Sequence, residues 1–169
     1  MMKNLFQILC GLFLVVSYSS CMHSEEDKVD VLIIGGGASG VTSGIQSARM
    51  GANTLILEES TWLGGMLTSA GVSAVDGNYR LPAGLWGEFK NRLSDYYGGW
   101  DSLKTGWVSN VLFEPSVGNK ILHEMVAAEN NLKVWKQACL EEVKRTGDEW
   151  VAKSEGGRTR CEKRFGRRL

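Results

Sequence analysis

Val29-Asp30-Val31-Leu32-Ile33-Ile34-Gly35-Gly36-Gly37-Ala38-Ser39-Gly40 is the stretch on which the fold turns. Its first half is an apolar, largely β-branched run, the composition of a strand buried on both faces of a parallel sheet. Its second half satisfies G-x-G-x-x-G, and each glycine answers a separate steric demand. Gly35 makes the tight turn, Gly37 lets a pyrophosphate approach the backbone, and Gly40 lets helix and strand pack closely. A helix from Ala38 to about Met50 then turns its unpaired N–H groups and positive dipole end toward that pyrophosphate. Gly44 permits close packing on the strands, and Gly51 sits where a helix would end. Asn53-Thr54-Leu55-Ile56-Leu57 reads as the second strand and ends at Glu58, placed where an acid accepts hydrogen bonds from the adenosine ribose. A lone glycine cluster also arises in ordinary turns; here strand, helix, packing glycines, second strand and terminal acid all agree. Gly35, Gly36, Gly37, Ala38, Ser39, Gly40 and Glu58 are therefore candidate dinucleotide ligands. An acid at position 58 argues against a 2′-phosphate.

The fingerprint does not by itself separate NAD from FAD. Trp62-Leu63-Gly64-Gly65-Met66-Leu67-Thr68-Ser69 adds a second glycine pair just after the ribose acid, where the chain folds back beside the pyrophosphate and ribitol of an extended FAD. Gly64, Gly65, Met66 and Thr68 join the candidate cofactor residues, with hydroxyls at Thr68 and Ser69 as donors. An ordinary Gly-Gly turn is the plain alternative. Together with Gly71-Val72-Ser73, Gly77, Pro82 and Gly84-Leu85-Trp86-Gly87, these motifs resemble the amino-terminal half of the FAD-dependent oxidoreductases related to glutathione-reductase-type flavoproteins, over residues 29–154. The resemblance implies an α/β fold: a Rossmann-like FAD/NAD(P)-binding βαβ domain with a small β-meander, FAD as cofactor, and redox chemistry carried by the flavin. It also implies that Leu140 lies against the adenine. Some relatives, such as the heterodisulfide reductases, carry iron–sulfur clusters, but the cysteines of this chain give that transfer no support.

The remaining body reads as core-forming elements. Leu85, Trp86, Phe89, Leu93 and Tyr97 recur on one helix face, with Glu88, Lys90, Arg92 and Asp95 elsewhere. Pro115 opens a further helix to about Asn130 with Val117, Ile121, Leu122, Met125 and Val126 on its buried side. Leu132 to Lys136 alternates as a third parallel strand. Leu140 to Lys144 and Glu149 to Lys153 flank Thr146-Gly147-Asp148 as a hairpin. Trp100, Trp107 and Phe113 read as packing residues rather than a ring-lined pocket. His123 within the second helix has no paired acid in sequence and reads as a helical histidine before a base. No catalytic residue is assignable, and the small-molecule substrate is unidentified.

The chain opens on an address. Lys3 and the apolar run Leu5 to Tyr18 have the proportions of a signal peptide, too short for a spanning helix. Ser19-Ser20-Cys21 resembles a bacterial lipobox, making residues 1–21 a signal peptide, Cys21 a lipidation site and residues 22–28 a polar tether. The expected location is export with a lipid anchor in a bacterial membrane, the outer membrane surface included, with periplasmic or secreted placement as the alternative. Cys139 and Cys161 then remain; they either form a disulfide or are a core residue and a tail residue. No cysteine or histidine spacing supports a metal site. Lys plus Arg and Asp plus Glu each number 19, so bulk charge gives no reason to expect a nucleic-acid partner.

After Ser154 apolar periodicity stops. Residues 156–169 carry Arg158, Arg160, Lys163, Arg164, Arg167 and Arg168 against the single acid Glu162. A solvated tail, a nucleic-acid arm and a shifted reading frame are the three readings, and the last fits a hairpin that ends without closing its sheet. On that reading the chain is an amino-terminal fragment of a flavoenzyme with a domain incomplete at its carboxyl end, holding only part of an FAD site. An NAD-binding module and a non-functional truncated product are the alternatives.

Overall fold

The computed structural model describes residues 27–107, 109–156 and 159–166; the signal segment, Cys21 and most of the tether lie outside them. A three-stranded parallel sheet forms from β2 (Val31–Ile34), β3 (Thr54–Glu58) and β6 (Leu132–Lys136) in the order β2-β3-β6. Val31 to Ile34 pairs with Thr54 to Leu57, and Thr54 to Glu58 pairs with Leu132 to Lys136. Helix α1 (Ala38–Arg49) crosses from β2 to β3, while α2 (Gly84–Tyr96) and α3 (Pro115–Ala127) fill the long connection to β6. Within that connection β4 (Ala74–Val75) and β5 (Val111–Leu112) pair as a short antiparallel ribbon. The fold is thus the expected Rossmann-like α/β unit, with its third strand in place.

Alternation sorts the core. Ile56, Leu132 and the partly buried Ile33 and Val134 face the helices, where Val41, Ile45, Phe89, Leu93, Ile121, Leu122 and Met125 close the main cluster. Leu55 and Leu57 face the other way and pack with Val29 and Ala138, flanked by Leu32, Trp135 and Leu140. Gly44 is required here, since a Cβ on it would lie 2.7 Å from Ile56 Cδ1. β3 is buried along its whole length. β2 is not: it is an edge of this sheet, and Ile34 at its end is 55% exposed. Full burial, expected of the first strand, belongs to the middle strand instead.

The expected strand from Val29 to Ile34 is in fact two. Asp30 leaves the ladder because its N–H and that of Val31 both donate to the Asn53 carbonyl, at 2.9 and 3.2 Å. Its carboxylate in turn accepts the Asn53 N–H at 3.0 Å. The residues before it, β1 (Asp27–Val29), belong to a second sheet, so the tether's last two residues are structured. A matching switch occurs at Gln137, whose φ of 56° turns the chain from β6 directly into β7 (Ala138–Thr146) of that second sheet. Its N–H donates to the Ser60 carbonyl at 3.2 Å. Single residues therefore carry the chain between the two sheets at both places.

β7 and β8 (Glu149–Gly156) form the expected hairpin around Gly147, at φ 63°, with β7 extending past the expected limits at both ends and β8 at its far end. The structure then departs from the sequence reading of the tail. Residues 159–166 form β9 (Thr159–Gly166), antiparallel to β8 and parallel to β1, which closes a three-stranded meander and gives the second sheet the order β1-β9-β8-β7. Edge pairing depends on backbone: a free strand edge offers N–H and C=O groups whatever the side-chain pattern. The disulfide reading fails on the same topology. Cys139 sits on β7 and Cys161 on β9, with β8 between them. Alternate strands stand about 9.5 Å apart, beyond the ~7 Å Cα separation that a disulfide spans. Nor is Cys139 a core residue; Ala138 takes the buried phase and Cys139 is exposed.

Three further expectations are corrected. α3 stops at Ala127 rather than near Asn130, because Asn131 is used elsewhere: its Nδ2 donates to the Ala48 and Ala52 carbonyls, each at 2.8 Å, and so caps the end of α1. Lys90 does not lie on the polar side of α2. It is buried, with Nζ donating to the Tyr79 and Leu81 carbonyls at 2.6 and 2.8 Å and lying 4.8 Å from the Trp100 ring centroid. Of the three aromatics expected to pack, only Phe113 is buried, edge-on to Phe89 at 5.5 Å; Trp107 is fully exposed.

Candidate functional site

The glycine-rich loop leaves the carboxyl end of β2, the edge at which ligands of open α/β sheets bind. Gly35 has a φ of 95°, a conformation that L side chains rarely adopt. A Cβ on Gly40 would stand 1.9 Å from the Gly35 carbonyl oxygen, so that glycine is what lets α1 start so close to β2. A Cβ on Gly36 would meet Leu63 Cδ2 at 2.8 Å and Glu58 Cβ at 3.0 Å. Gly37 differs from all three. Its φ of −62° suits any residue, and a Cβ there meets nothing within 4 Å, so the protein itself places no demand for glycine. Gly37 is the N-cap of α1. No side chain caps this end and no acid lies in its first turn, so Ala38, Ser39 and Gly40 begin a helix whose positive end is uncompensated.

Glu58 is the last residue of β3, and its carboxylate is bonded within the protein. Oε2 accepts the Gly36 N–H at 2.5 Å and Oε1 accepts the Ser60 N–H at 2.8 Å. The carboxylate therefore ties the glycine loop to the turn after β3, and each oxygen keeps a second lone pair for an outside donor. The residue is only 8% exposed. Burial pushes its pKa up, but the hydrogen bonds from Ser60 and Gly36 outweigh burial and the net shift is downward. It is ionised at neutral pH.

The second glycine pair comes to the first. Gly64 donates its N–H to the Gly36 carbonyl at 2.8 Å and forms a parallel bridge with Gly37. A Cβ on Gly65 would stand 3.1 Å from Gly37 Cα. Gly64 and Gly65 have φ values of 107° and 53° and open a short 3-10 turn, Gly65–Leu67. Met66 projects from it, 70% exposed. Thr68 does not offer its hydroxyl to a ligand: it is 1% exposed, and Oγ1 donates to the Leu63 carbonyl at 2.5 Å. Ser69 Oγ donates to the Gly65 carbonyl at 3.1 Å. Leu140 is separate from this group, packed on the smaller core cluster on the sheet face opposite α1.

Sequence reading missed Ser60, Leu63 and the α3 residues Gly118, Asn119 and Leu122. Asn119 Oδ1 accepts the Leu63 N–H at 2.9 Å. Leu122 Cδ1 would be 2.7 Å from a Cβ on Gly64, and Thr68 Cγ2 3.3 Å from one on Gly118. These α3 partners lie some fifty residues downstream of the loop they support, and no local spacing announces them. His123, on the same helix, is half-buried; burial first and Lys136 second lower its pKa, keeping it neutral. Among the described residues, no three of His, Cys, Asp and Glu converge as metal ligands.

The sequence profile of the FAD dependent oxidoreductase family matches residues 30–163, running past Ser154 into β9. The chain matches none of the curated proteins. Among solved structures it is similar to a flavoprotein/dehydrogenase from Cytophaga hutchinsonii, with 16% identity, a TM-score of 0.59, and coverage of 82% of this chain and 38% of that one. A geranylgeranyl bacteriochlorophyll reductase-like protein from Thermoplasma acidophilum gives 18%, 0.57, 83% and 38% on the same measures. L-proline dehydrogenase from P. horikoshii gives 20%, 0.51, 85% and 22%. At these identities the likeness is one of fold, and the chain spans between about a fifth and two fifths of the length of these structures.

Proposed function

Because the chain belongs to the FAD dependent oxidoreductase family, we propose that residues 35–68 hold the adenosine, pyrophosphate and ribitol portions of FAD in an enzyme that oxidises or reduces a small molecule. One observation carries the reading. Of the fingerprint glycines, Gly37 alone is required neither by packing nor by a positive φ, and it stands open at the uncapped end of α1 beside Gly64 and Gly65. A pyrophosphate accounts for that combination, since it needs backbone approach and a positive helix end in one place. When bound, the flavin supplies the hydride or electron transfer. The chain's own residues do the rest. Gly35 to Gly40 receive the phosphates, Glu58 fixes the loop and keeps a lone pair for a ribose hydroxyl, and Gly64-Gly65-Met66 borders the space beyond Gly37. Leu140, in the meander, is the residue assigned to the adenine. Titration of the purified chain into FAD should quench flavin fluorescence to a saturable one-to-one end point, whereas quenching that grows linearly and never saturates would refute the assignment.

The same reading has the protein outside the cytoplasm, held to a bacterial membrane by lipid on Cys21. Support comes from the signal-like segment and the small residues before that cysteine. Cys21→Ser should move the mature protein from the membrane to the soluble fraction; a variant that still sediments with membranes counts against the anchor.

A further inference from the structure

The peptide that precedes the second glycine pair is gripped from both sides. The Leu63 N–H donates to Asn119 Oδ1 at 2.9 Å, and the Leu63 carbonyl accepts from Thr68 Oγ1 at 2.5 Å. The very next N–H, of Gly64, crosses to the Gly36 carbonyl of the phosphate loop at 2.8 Å. Two neighbours of Asn119 on α3 shape the same place: Leu122 lies against Gly64, and Gly118 lies beside Thr68. Gly64 is left-handed at φ 107°, a conformation that an L side chain rarely adopts. Leu63, itself buried under Gly36, is thereby locked in orientation by a residue 56 positions away.

We infer that Asn119 is a positioning residue for cofactor binding: through the Leu63 N–H it holds Gly64 and Gly65 against Gly36 and Gly37, and so sets the shape of the site without touching FAD. This rests on the FAD reading above. The side chain is suited to the task because it offers a neutral acceptor at fixed reach, which a leucine of similar size lacks.

The test compares FAD dissociation constants, at a temperature well below the melting transition, for the full chain and for Asn119→Leu, Asn119→Asp and Asn131→Ala. Asn131→Ala uncaps the far end of α1 and serves as a destabilised control. Asn119→Leu should weaken FAD binding roughly tenfold, the scale of one hydrogen bond transmitted to a ligand. Asn119→Asp, which retains the acceptor, should bind within about threefold of wild type, and Asn131→Ala should bind as wild type does. In the ligand-free chain, amide exchange should quicken at Leu63 and Gly64 in Asn119→Leu and nowhere else in the βαβ unit. Unchanged affinity in Asn119→Leu overturns the inference, as does an equal loss in Asn131→Ala. A wild-type chain that fails to bind FAD while Leu63 and Gly64 still loosen in Asn119→Leu refutes the cofactor assignment and leaves the local grip demonstrated.

Discussion

Four glycines within six residues have different physical grounds, and substitution separates them. At Gly40 the obstacle is the protein's own backbone, a carbonyl oxygen 1.9 Å from the would-be Cβ. Gly40→Ala should therefore cost roughly 3 kcal/mol or more of stability, because backbone cannot yield as a side chain can. At Gly37 the obstacle is the ligand. Gly37→Val should unfold at nearly the wild-type urea midpoint and fail to take up FAD, and a variant that retains full FAD affinity would remove the pyrophosphate from this loop. Glu58 makes a pH prediction. Its pKa is lowered in the folded protein, so its stabilising contribution is present above the unfolded value, about 4.3, and is lost as pH falls through the folded one. Glu58→Gln should be less stable than wild type at pH 7, with the gap closing in urea titrations below pH about 4. A gap that is constant from neutral to acidic pH would mean that the ionised carboxylate contributes nothing. The fingerprint glycines and Glu58 were legible because each has a local signature. Thr68 was not: sequence shows a hydroxyl near the site but not that the Leu63 carbonyl has already taken it.

Elements were legible where burial imposes a period. The helices at 38–49, 84–96 and 115–127 carry apolar stripes, the strand at 132–136 alternates, and the strand at 54–58 is a short apolar run buried throughout. What could not be read were the interruptions. In Val29 to Ile34 a single acid inside an apolar run does not by itself announce the break at Asp30, which Asn53, just before β3, imposes. β9 was hidden for the reason already given, that a strand edge recruits backbone. Lys90 is the clearest helical case, because a lysine counts as surface in any periodicity argument. Its ammonium instead pins the loop before α2, between two carbonyls and the Trp100 ring. Lys90→Met keeps the length and the apolar stem but leaves the Tyr79 and Leu81 carbonyls without their donor, at a cost of about 1–3 kcal/mol. The loop should then be cut faster by trypsin after the Arg80 beside it; wild-type cleavage rates would show that the loop is held by other contacts, such as the Trp86 Nε1 bond to the Asn78 carbonyl at 3.2 Å.

At the scale of the molecule, the two sheets are coupled by covalent continuity and by shared packing. Val29 closes the cluster that Leu55 and Leu57 open on the back of the parallel sheet, yet it belongs by pairing to the meander sheet. β9 completes the coupling, since it lies between β8 and β1: Lys163 pairs with Ala152 on one side and Asp27 on the other. Disturbing β9 should thus be felt in the nucleotide-binding half, which no reading of the basic residues 155–169 as a solvated tail would predict. Lys163→Pro removes a ladder donor and restricts the backbone at the point where both neighbours pair, at a cost of about 2 kcal/mol or more. If the sheets form one cooperative unit, urea unfolding followed by tryptophan fluorescence and by far-ultraviolet circular dichroism should stay coincident and shift together to lower midpoints. The FAD dissociation constant, measured below the transition, should hold at its wild-type value, because the strands that β9 pairs with, β8 and β1, lie outside residues 35–68. Midpoints identical to wild type would exclude β9 from the folded unit, and two separated transitions would show that the meander and the βαβ unit fold independently.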